Sequence, residues 1–333
     1  MAFKKRKPDR HRRTEKPAGD GKRNASAPHQ GMQKYRGPEH GRTKPVPASP
    51  APKREKQYAV SARGEAPISG EREIRHDAAP PGQPRSRGPK TRPPEGAFWL
   101  YGLHAARAAL ANPHRRIRKA VLSERAEAEL GPALAEAKVE NIAQASPDNI
   151  ARLLPPGAVH QGVALLCEPL PPRDLEEALA ASKPGSRLVA VLDQITDPHN
   201  EGAILRSAAA FGVSAVIVQD RHAPPESGAL AKAASGGLDL VPRITVVNIA
   251  RTLEELGRLG FYCIALASDA DAPLREAAPE GDIAIVLGAE GTGLRRLVRE
   301  RCDASAFIPM QGPMESLNVS NAAAIAFYEL RRR

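Results

Sequence analysis

Three things are scarce in this chain, and each scarcity narrows what it can be. There are three cysteines, Cys167, Cys263 and Cys302, in 333 residues. They are odd in number and far apart, with no CxxC pair or Cys/His cluster, which argues against a disulfide framework and against a zinc site. Each is expected to behave as a small buried apolar residue. No stretch of roughly 18 apolar residues occurs, which leaves no candidate membrane-spanning helix. The amino terminus opens on Lys4, Lys5, Arg6 and Lys7 with no apolar segment behind them, unlike a secretory signal. Asp9, Glu15 and Asp20 interrupt the positive charge in a way that disfavours an organellar transit peptide. The expected location is the cytoplasm. Aromatic residues amount to 4% of the chain and are almost missing before residue 95, so that segment has little with which to build a core.

What is abundant is positive charge, and it is unevenly placed. The formal net charge is +11, but residues 1–95 hold about +14 of it and the remainder about −3. Residues 1–96 show no hydrophobic periodicity and are rich in Pro, Gly, Arg and Lys, as in Pro45-Val46-Pro47-Ala48-Ser49-Pro50. Such a segment cannot bury enough apolar area to offset its chain entropy and is expected to be a disordered basic arm. It is either a polycation that binds RNA phosphates through counterion release or a solvated linker.

Periodicity begins at Phe98-Trp99-Leu100-Tyr101-Gly102. Residues 97–168 give a small α/β unit: a helix from His104 to Ala111 stopped by Asn112-Pro113, a strand over 117–122, a helix over 125–140 and a strand over 162–166. Residues 169–186, with the proline run 169–172 and a helix-like stretch over 174–181, form the expected linker. Residues 187–333 form a second domain that starts on Leu188-Val189-Ala190-Val191-Leu192, an apolar run typical of a strand buried on both faces. Strands then alternate with helices: helix 203–211, strand 215–218, helix 227–234, strand 243–247, helix 250–259, strand 262–267, strand 283–287 and helix 294–301. This alternation predicts an α/β fold with a parallel sheet.

Ligands of such sheets bind beyond the carboxyl ends of the strands, so the loops there carry the chemistry. Three stand out. The first runs from Asp193 to Gly202 into a helix bearing Arg206, so that Asn200 and Arg206 could flank one crevice; Asn200 as a simple helix N-cap is the plain alternative. Apolar and small neighbours surround Arg206, a setting in which a guanidinium usually has an anionic partner. His199 is a loop histidine, either an acid/base group or a polar contact. The second is Gly288-Ala289-Glu290-Gly291-Thr292-Gly293. Its glycine order is neither that of a dinucleotide fold nor that of a P-loop, and its glycines are expected to let backbone amides approach an adenosyl group, with Glu290 exposed in the crevice. The third spans 307–321 and precedes a helix starting near Leu317, with Ser316 or Asn318 as its alternative N-cap.

Together these segments resemble the SpoU (TrmH-like) class of SPOUT methyltransferases over residues 187–331. Asp197-Pro198-His199-Asn200 with Arg206 looks like the first motif, Gly288-Ala289-Glu290-Gly291 the second, and Ile308-Pro309-Met310 with Ser316-Leu317-Asn318-Val319-Ser320 the third. The resemblance implies a trefoil knot formed by the C-terminal segment, S-adenosyl-L-methionine contacted at Gly288, Ile308 and Leu317, and a homodimer that completes the site without a metal. It implies catalytic-site roles for Arg206, Asn200, Glu290, Ser316 and Asn318, with Arg206 acting on the ribose hydroxyl. Tyr101-Gly102-Leu103-His104-Ala105 and His160-Gln161-Gly162-Val163 are similar to the ends of an L30e-like RNA-binding domain of ribosomal members of the class. The implied activity is 2′-O-methylation of RNA, foremost of a guanosine in 23S ribosomal RNA. Transfer RNA as substrate, or a non-catalytic ribosome-assembly factor, are the alternatives. Two positions depart from the class pattern: Glu201 stands where a small or aliphatic residue is usual, and Asn321 where a small or β-branched one is common.

Overall fold

The structure, a computed structural model, describes residues 93–332. The expected arm therefore lies outside the described residues, except at its last few positions. The small unit orders its elements as β1 (Phe98–Tyr101), α1 (Leu103–Ala111), β2 (Ile117–Leu122), α2 (Glu124–Glu136), β3 (Ile142–Gln144), α3 (Pro147–Leu153) and β4 (Val163–Cys167). They make a four-stranded sheet of order β1-β4-β2-β3. Ser123 and Ser146 cap α2 and α3 by accepting from the amides of Ala126 and Asn149, which satisfies otherwise unpaired donors of the first turn.

Beyond α4 (Leu175–Ala180) come β5 (Leu188–Leu192), α5 (Pro198–Ala210), β6 (Ala215–Gln219), α6 (Gly228–Ala234), α7 (Gly237–Leu240), β7 (Arg243–Val246), α8 (Ile249–Arg258), β8 (Phe261–Leu266), β9 (Ala272–Pro273), α9 (Leu274–Ala277), β10 (Asp282–Leu287), α10 (Arg296–Arg299), β11 (Ala304–Phe307) and α11 (Val319–Arg331). The sheet has seven strands in the order β7-β6-β5-β10-β8-β11-β9, and every pairing is parallel. Alternate residues of the apolar strands go to opposite faces, as the period of two requires. Leu188, Ala190 and Leu192 of β5 pack with α5, α6 and α11, while Val189 and Val191 pack with α4 and α8. The helix foreseen in the linker is therefore packed on the sheet through Leu175 and Leu179.

The two units meet closely. One apolar cluster runs from Phe98, Leu100 and Ala106 of the small unit to Leu188, Leu230 and Leu238 of the other. At Gly228 an added Cβ would lie 2.4 Å from the Trp99 carbonyl oxygen, so α6 touches β1 where only glycine fits. Arg115, its side chain fully buried, pairs at 2.7 Å with both Glu226 and Asp239 and donates to the Glu168 carbonyl oxygen. A buried guanidinium facing two carboxylates is compensated, but each group depends on the others.

Where boundaries differ from expectation, caps explain it. Helix α5 starts at Pro198, well before residue 203, because Asp197 is the N-cap and accepts from the His199 amide, with proline at the first position. Near residue 294 only one turn is helical, 296–299, because the Arg295 amide is bonded to Asp193 instead. The short elements β3, α3, α7, β9 and α9 have too few residues to show a period. Cys167 and Cys263 are buried and Cys302 half-buried; all three are free thiols, and burial pushes each up to about 12. No helix among the described residues is long and apolar enough to cross a membrane.

Candidate active site

Because all seven strands are parallel, the loops after β5, β10 and β11 open on one edge, the edge at which sheets of this type take ligands. The loop after β5 is anchored first. Asp193, completely buried, receives the Arg295 Nε at 2.8 Å and the Arg295 amide at 3.1 Å. Its own amide donates to the Leu287 carbonyl oxygen at 2.8 Å, tying the ends of β5 and β10 together.

From this frame three polar side chains distant in sequence converge. Asn200, in the first turn of α5, donates through Nδ2 to Glu290 Oε1 at 3.1 Å. Asn318 donates through Nδ2 to the same oxygen at 2.6 Å and to Asn200 Oδ1 at 3.0 Å, and the Val319 amide donates to it at 3.2 Å. Glu290 Oε1 thus accepts three donors yet stays exposed, an arrangement that fixes a carboxylate without taking it out of water. Asn318 is also the N-cap of α11, accepting from the Ser320 and Asn321 amides. Capping and clustering are the same side chain here, not alternatives. Asn200 is not a cap, since that place belongs to Asp197.

The glycine loop closes on itself. The Gly293 amide donates to the Ala289 carbonyl oxygen at 2.9 Å, and Gly291 and Gly293 take φ of 84° and 66°. At Gly288 a Cβ would stand 2.3 Å from the Gly293 carbonyl carbon. Its lack of a side chain therefore serves the fold of the loop, a different reason from the approach to a nucleoside expected above. Gly288 follows β10 and Ile308 follows β11, so both lie at the carboxyl edge. Leu317 immediately precedes the Asn318 cap and is 37% exposed. Residues 308–317 form no backbone–backbone hydrogen bond among the described residues, which leaves their amides and carbonyls available to a ligand. Met310 and Met314 expose apolar side chains in the same segment. A cofactor held by backbone groups and covered on apolar atoms fits this segment. No group of His, Cys, Asp and Glu suited to a metal is present among the described residues.

Two expected site residues stand apart. Ser316 is exposed and is not hydrogen-bonded to the triad. Arg206 lies on an exposed stripe of α5 with His199 and Ala210, the half-buried Ala203 between them, at spacings of a helical face. Six residues along a helix turn it about 120° from Asn200. Arg206 has no salt bridge with a carboxylate among the described residues, so the anionic partner expected of it is not supplied by a protein side chain there. Sequence reading missed Asp193 and Arg295 as a pair; a buried aspartate directly after an apolar strand was the available signal. It also treated Glu201 only as a departure. Glu201 is fully buried and pairs with Arg243 Nε at 2.5 Å. Burial raises its carboxyl above the ordinary glutamate range, against the pull of Arg243.

A model described as the SpoU rRNA Methylase family matches residues 187–328, and one described as RNA 2′-O ribose methyltransferase substrate binding matches 99–173. The chain is 40% identical, over 71% of its length and 96% of the relative's, to the 23S rRNA (guanosine-2′-O-)-methyltransferase RlmB of Vibrio vulnificus. It is 38% identical, over 70% of its length and 95% of the relative's, to the protein of that name from Coxiella burnetii. Among solved structures, the SpoU methyltransferase AviRb of Streptomyces viridochromogenes superposes with a TM-score of 0.61 at 24% identity, covering 71% of this chain and 89% of that one. A structure described as an RNA 2′-O ribose methyltransferase gives 0.56 at 26% identity, covering 71% and 88%. The fold is that of a SpoU methyltransferase, an α/β protein built on a parallel sheet. On sequence as well as fold, the chain belongs to the SpoU rRNA methylase family.

Proposed function

We propose that this protein transfers the methyl group of S-adenosyl-L-methionine to a ribose 2′-hydroxyl of RNA, with a guanosine of 23S ribosomal RNA as the target. The observation that carries the reading is the convergence of Asn200, Glu290 and Asn318 on one exposed carboxylate at the ligand edge of the parallel sheet. The curated relatives named for that activity, matched over nearly their whole length, support the choice of RNA. In this reading residues 97–168 are an L30e-like substrate-binding domain, 169–186 a linker and 187–333 the catalytic domain, whose C-terminal segment forms a trefoil knot.

When bound, the sulfonium would supply an electrophilic methyl for in-line displacement by the hydroxyl oxygen, the methyl–sulfur bond breaking to leave a neutral thioether and the hydroxyl proton passing to water. The chain's part is placement. Backbone groups at Gly288, Ile308 and Leu317 hold the cofactor. Glu290, fixed by Asn200 and Asn318, presents its carboxylate to the substrate's hydroxyl side, and Ser316 lines the same mouth. Arg206, a poor base but a strong donor of hydrogen bonds, orients the hydroxyl and neutralises the neighbouring phosphate. Since Arg206 faces away from the triad within one chain, a homodimer completes the site. The exposed Ile325 and Tyr328 of α11, which packs beside α5, support this reading as an apolar face for the second copy.

The test is incubation of the purified chain with labelled S-adenosylmethionine and 23S ribosomal RNA, followed by nucleoside analysis. Label in 2′-O-methylguanosine is expected. Label on a base, or none, overturns the reading.

A further inference from the structure

The junction between the small unit and the sheet domain holds two cations that are treated in opposite ways. Arg115 is buried and matched by Glu226 and Asp239. Lys232, on α6, is half-buried and has no ion pair with any carboxylate among the described residues. The partner of its Nζ is a neutral amide oxygen, Gln161 Oε1 at 3.2 Å, which also accepts from the Leu103 amide at 3.2 Å. The lysine stem crosses Gly102, where an added Cβ would meet Nζ at 2.6 Å; the φ of +94° there and the absent side chain keep the passage open. Burial holds the ammonium below the usual lysine range, so its positive charge is imperfectly solvated where it stands. An ammonium has three donors, and one shared amide oxygen leaves it short of an anion.

Its surroundings indicate which anion. Gln161 also lines a crevice of about 780 Å³ at the ends of β2 and β3, with Arg125, Gln144, Ser123 and Gly162 among its walls. Glu124 and Glu129 share those walls, which disfavours a phosphate inside the crevice and favours one at Lys232, which is joined to the crevice through its hydrogen bond to Gln161. On the other side, the turn that follows Lys232 packs against α1 and α5. Gly236 faces the His104 carbonyl and Ala108, and Gly237 lies against the Leu205 carbonyl and the Arg206 amide. Lys232 therefore stands between the small unit's crevice and the helix that carries Arg206.

We infer that Lys232 binds a backbone phosphate of the substrate RNA at the domain junction, aligning the strand that runs from the small unit toward Arg206. This rests on the RNA methyltransferase reading above and adds to it an RNA contact on the catalytic domain, outside the polar triad. Replacing an amide oxygen by a phosphate as the lysine's counterpart restores a charge-assisted pair and releases one condensed cation from the RNA.

The experiment measures binding of the full-length protein to a 23S ribosomal RNA transcript across a salt series, together with KM and kcat for methyl transfer. In Lys232→Gln, RNA affinity should fall about 5- to 10-fold and the slope of log affinity against log salt should drop by about 0.7–0.9, the share of one phosphate. KM for RNA should rise with kcat at saturating RNA unchanged, and Lys232→Arg should restore the wild-type slope. A purely structural lysine would change the melting temperature and leave the slope alone, and that result overturns the inference. Amine acetylation of the wild-type protein needs no variant to fold: RNA should protect Lys232, and equal labelling with and without RNA also overturns the inference. If the wild type methylates RNA while the variant binds like it, only the lysine's role falls. If the wild type binds no RNA, the parent reading falls with it.

Discussion

The domain junction and the polar triad are both built from charged and amide side chains, but they use them for opposite ends. At the junction Arg115, Glu226 and Asp239 are shielded from water and balance one another's charge, with only the Arg115 Nη2 left without a hydrogen-bond partner among the described residues. At the sheet edge Asn200, Glu290 and Asn318 bond together while remaining accessible. Desolvated partners give rigidity at the cost of dependence, because removing one strands the rest. Solvated partners give a fixed geometry that can still accept a ligand. The difference separates residues whose loss should damage the fold from residues whose loss should damage the chemistry first, with Asn318 belonging to both because it also caps α11.

The comparison breaks most readily at Arg115. Arg115→Met leaves two buried carboxylates without a counter-charge and should cost about 3–5 kcal/mol of stability, lowering the melting temperature on the order of 10 °C. A shift below about 2 °C by calorimetry would mean that the junction is not pinned there. Arg206→Ala should do the reverse: methyl transfer down by at least about 100-fold, roughly 2.7 kcal/mol of barrier, with an unchanged melt and unchanged cofactor affinity. A rate within about tenfold of wild type would remove Arg206 from the mechanism.

Gly288→Ala should fall between these two classes. Its methyl would press on the Gly293 carbonyl, costing about 1–3 kcal/mol by overpacking, and titration calorimetry should show weakened S-adenosylmethionine binding. The smallest effect is one of pH. Asp282 is buried, which opposes ionisation, but the side-chain and amide hydrogen bonds from Arg187 outweigh this and hold its carboxyl below its ordinary value of 3.8. A lowered folded value stabilises the protein above about pH 3.8 and loses that contribution as pH falls further. The stability gap between wild type and Arg187→Met should therefore narrow in acid, and a gap constant from pH 7 to 3 would exclude the ion pair as its source.

Much of the sheet was legible because its strands are short continuous apolar runs, Leu188–Leu192 and Ile283–Leu287 among them, and such runs declare burial on both faces. The three loops were legible because their polar residues follow those runs directly. What the sequence did not disclose was direction. Asn200 and Arg206 look like neighbours along the chain, yet helical rotation turns one toward Glu290 and the other onto an exposed stripe. Nor did it disclose pairing over long separations: Glu201 meets Arg243 and Asp193 meets Arg295 only after the sheet is assembled. A local pattern carries no record of which buried acid will find which base.

Asn318 ends one story and begins another at a single side chain. It starts the last helix of 13 residues and also grips Glu290. Unwinding of the first turn of that helix and slackening of the pocket are thus mechanically the same event, so a truncation or proteolytic nick that removes the turn disarms the carboxylate as well.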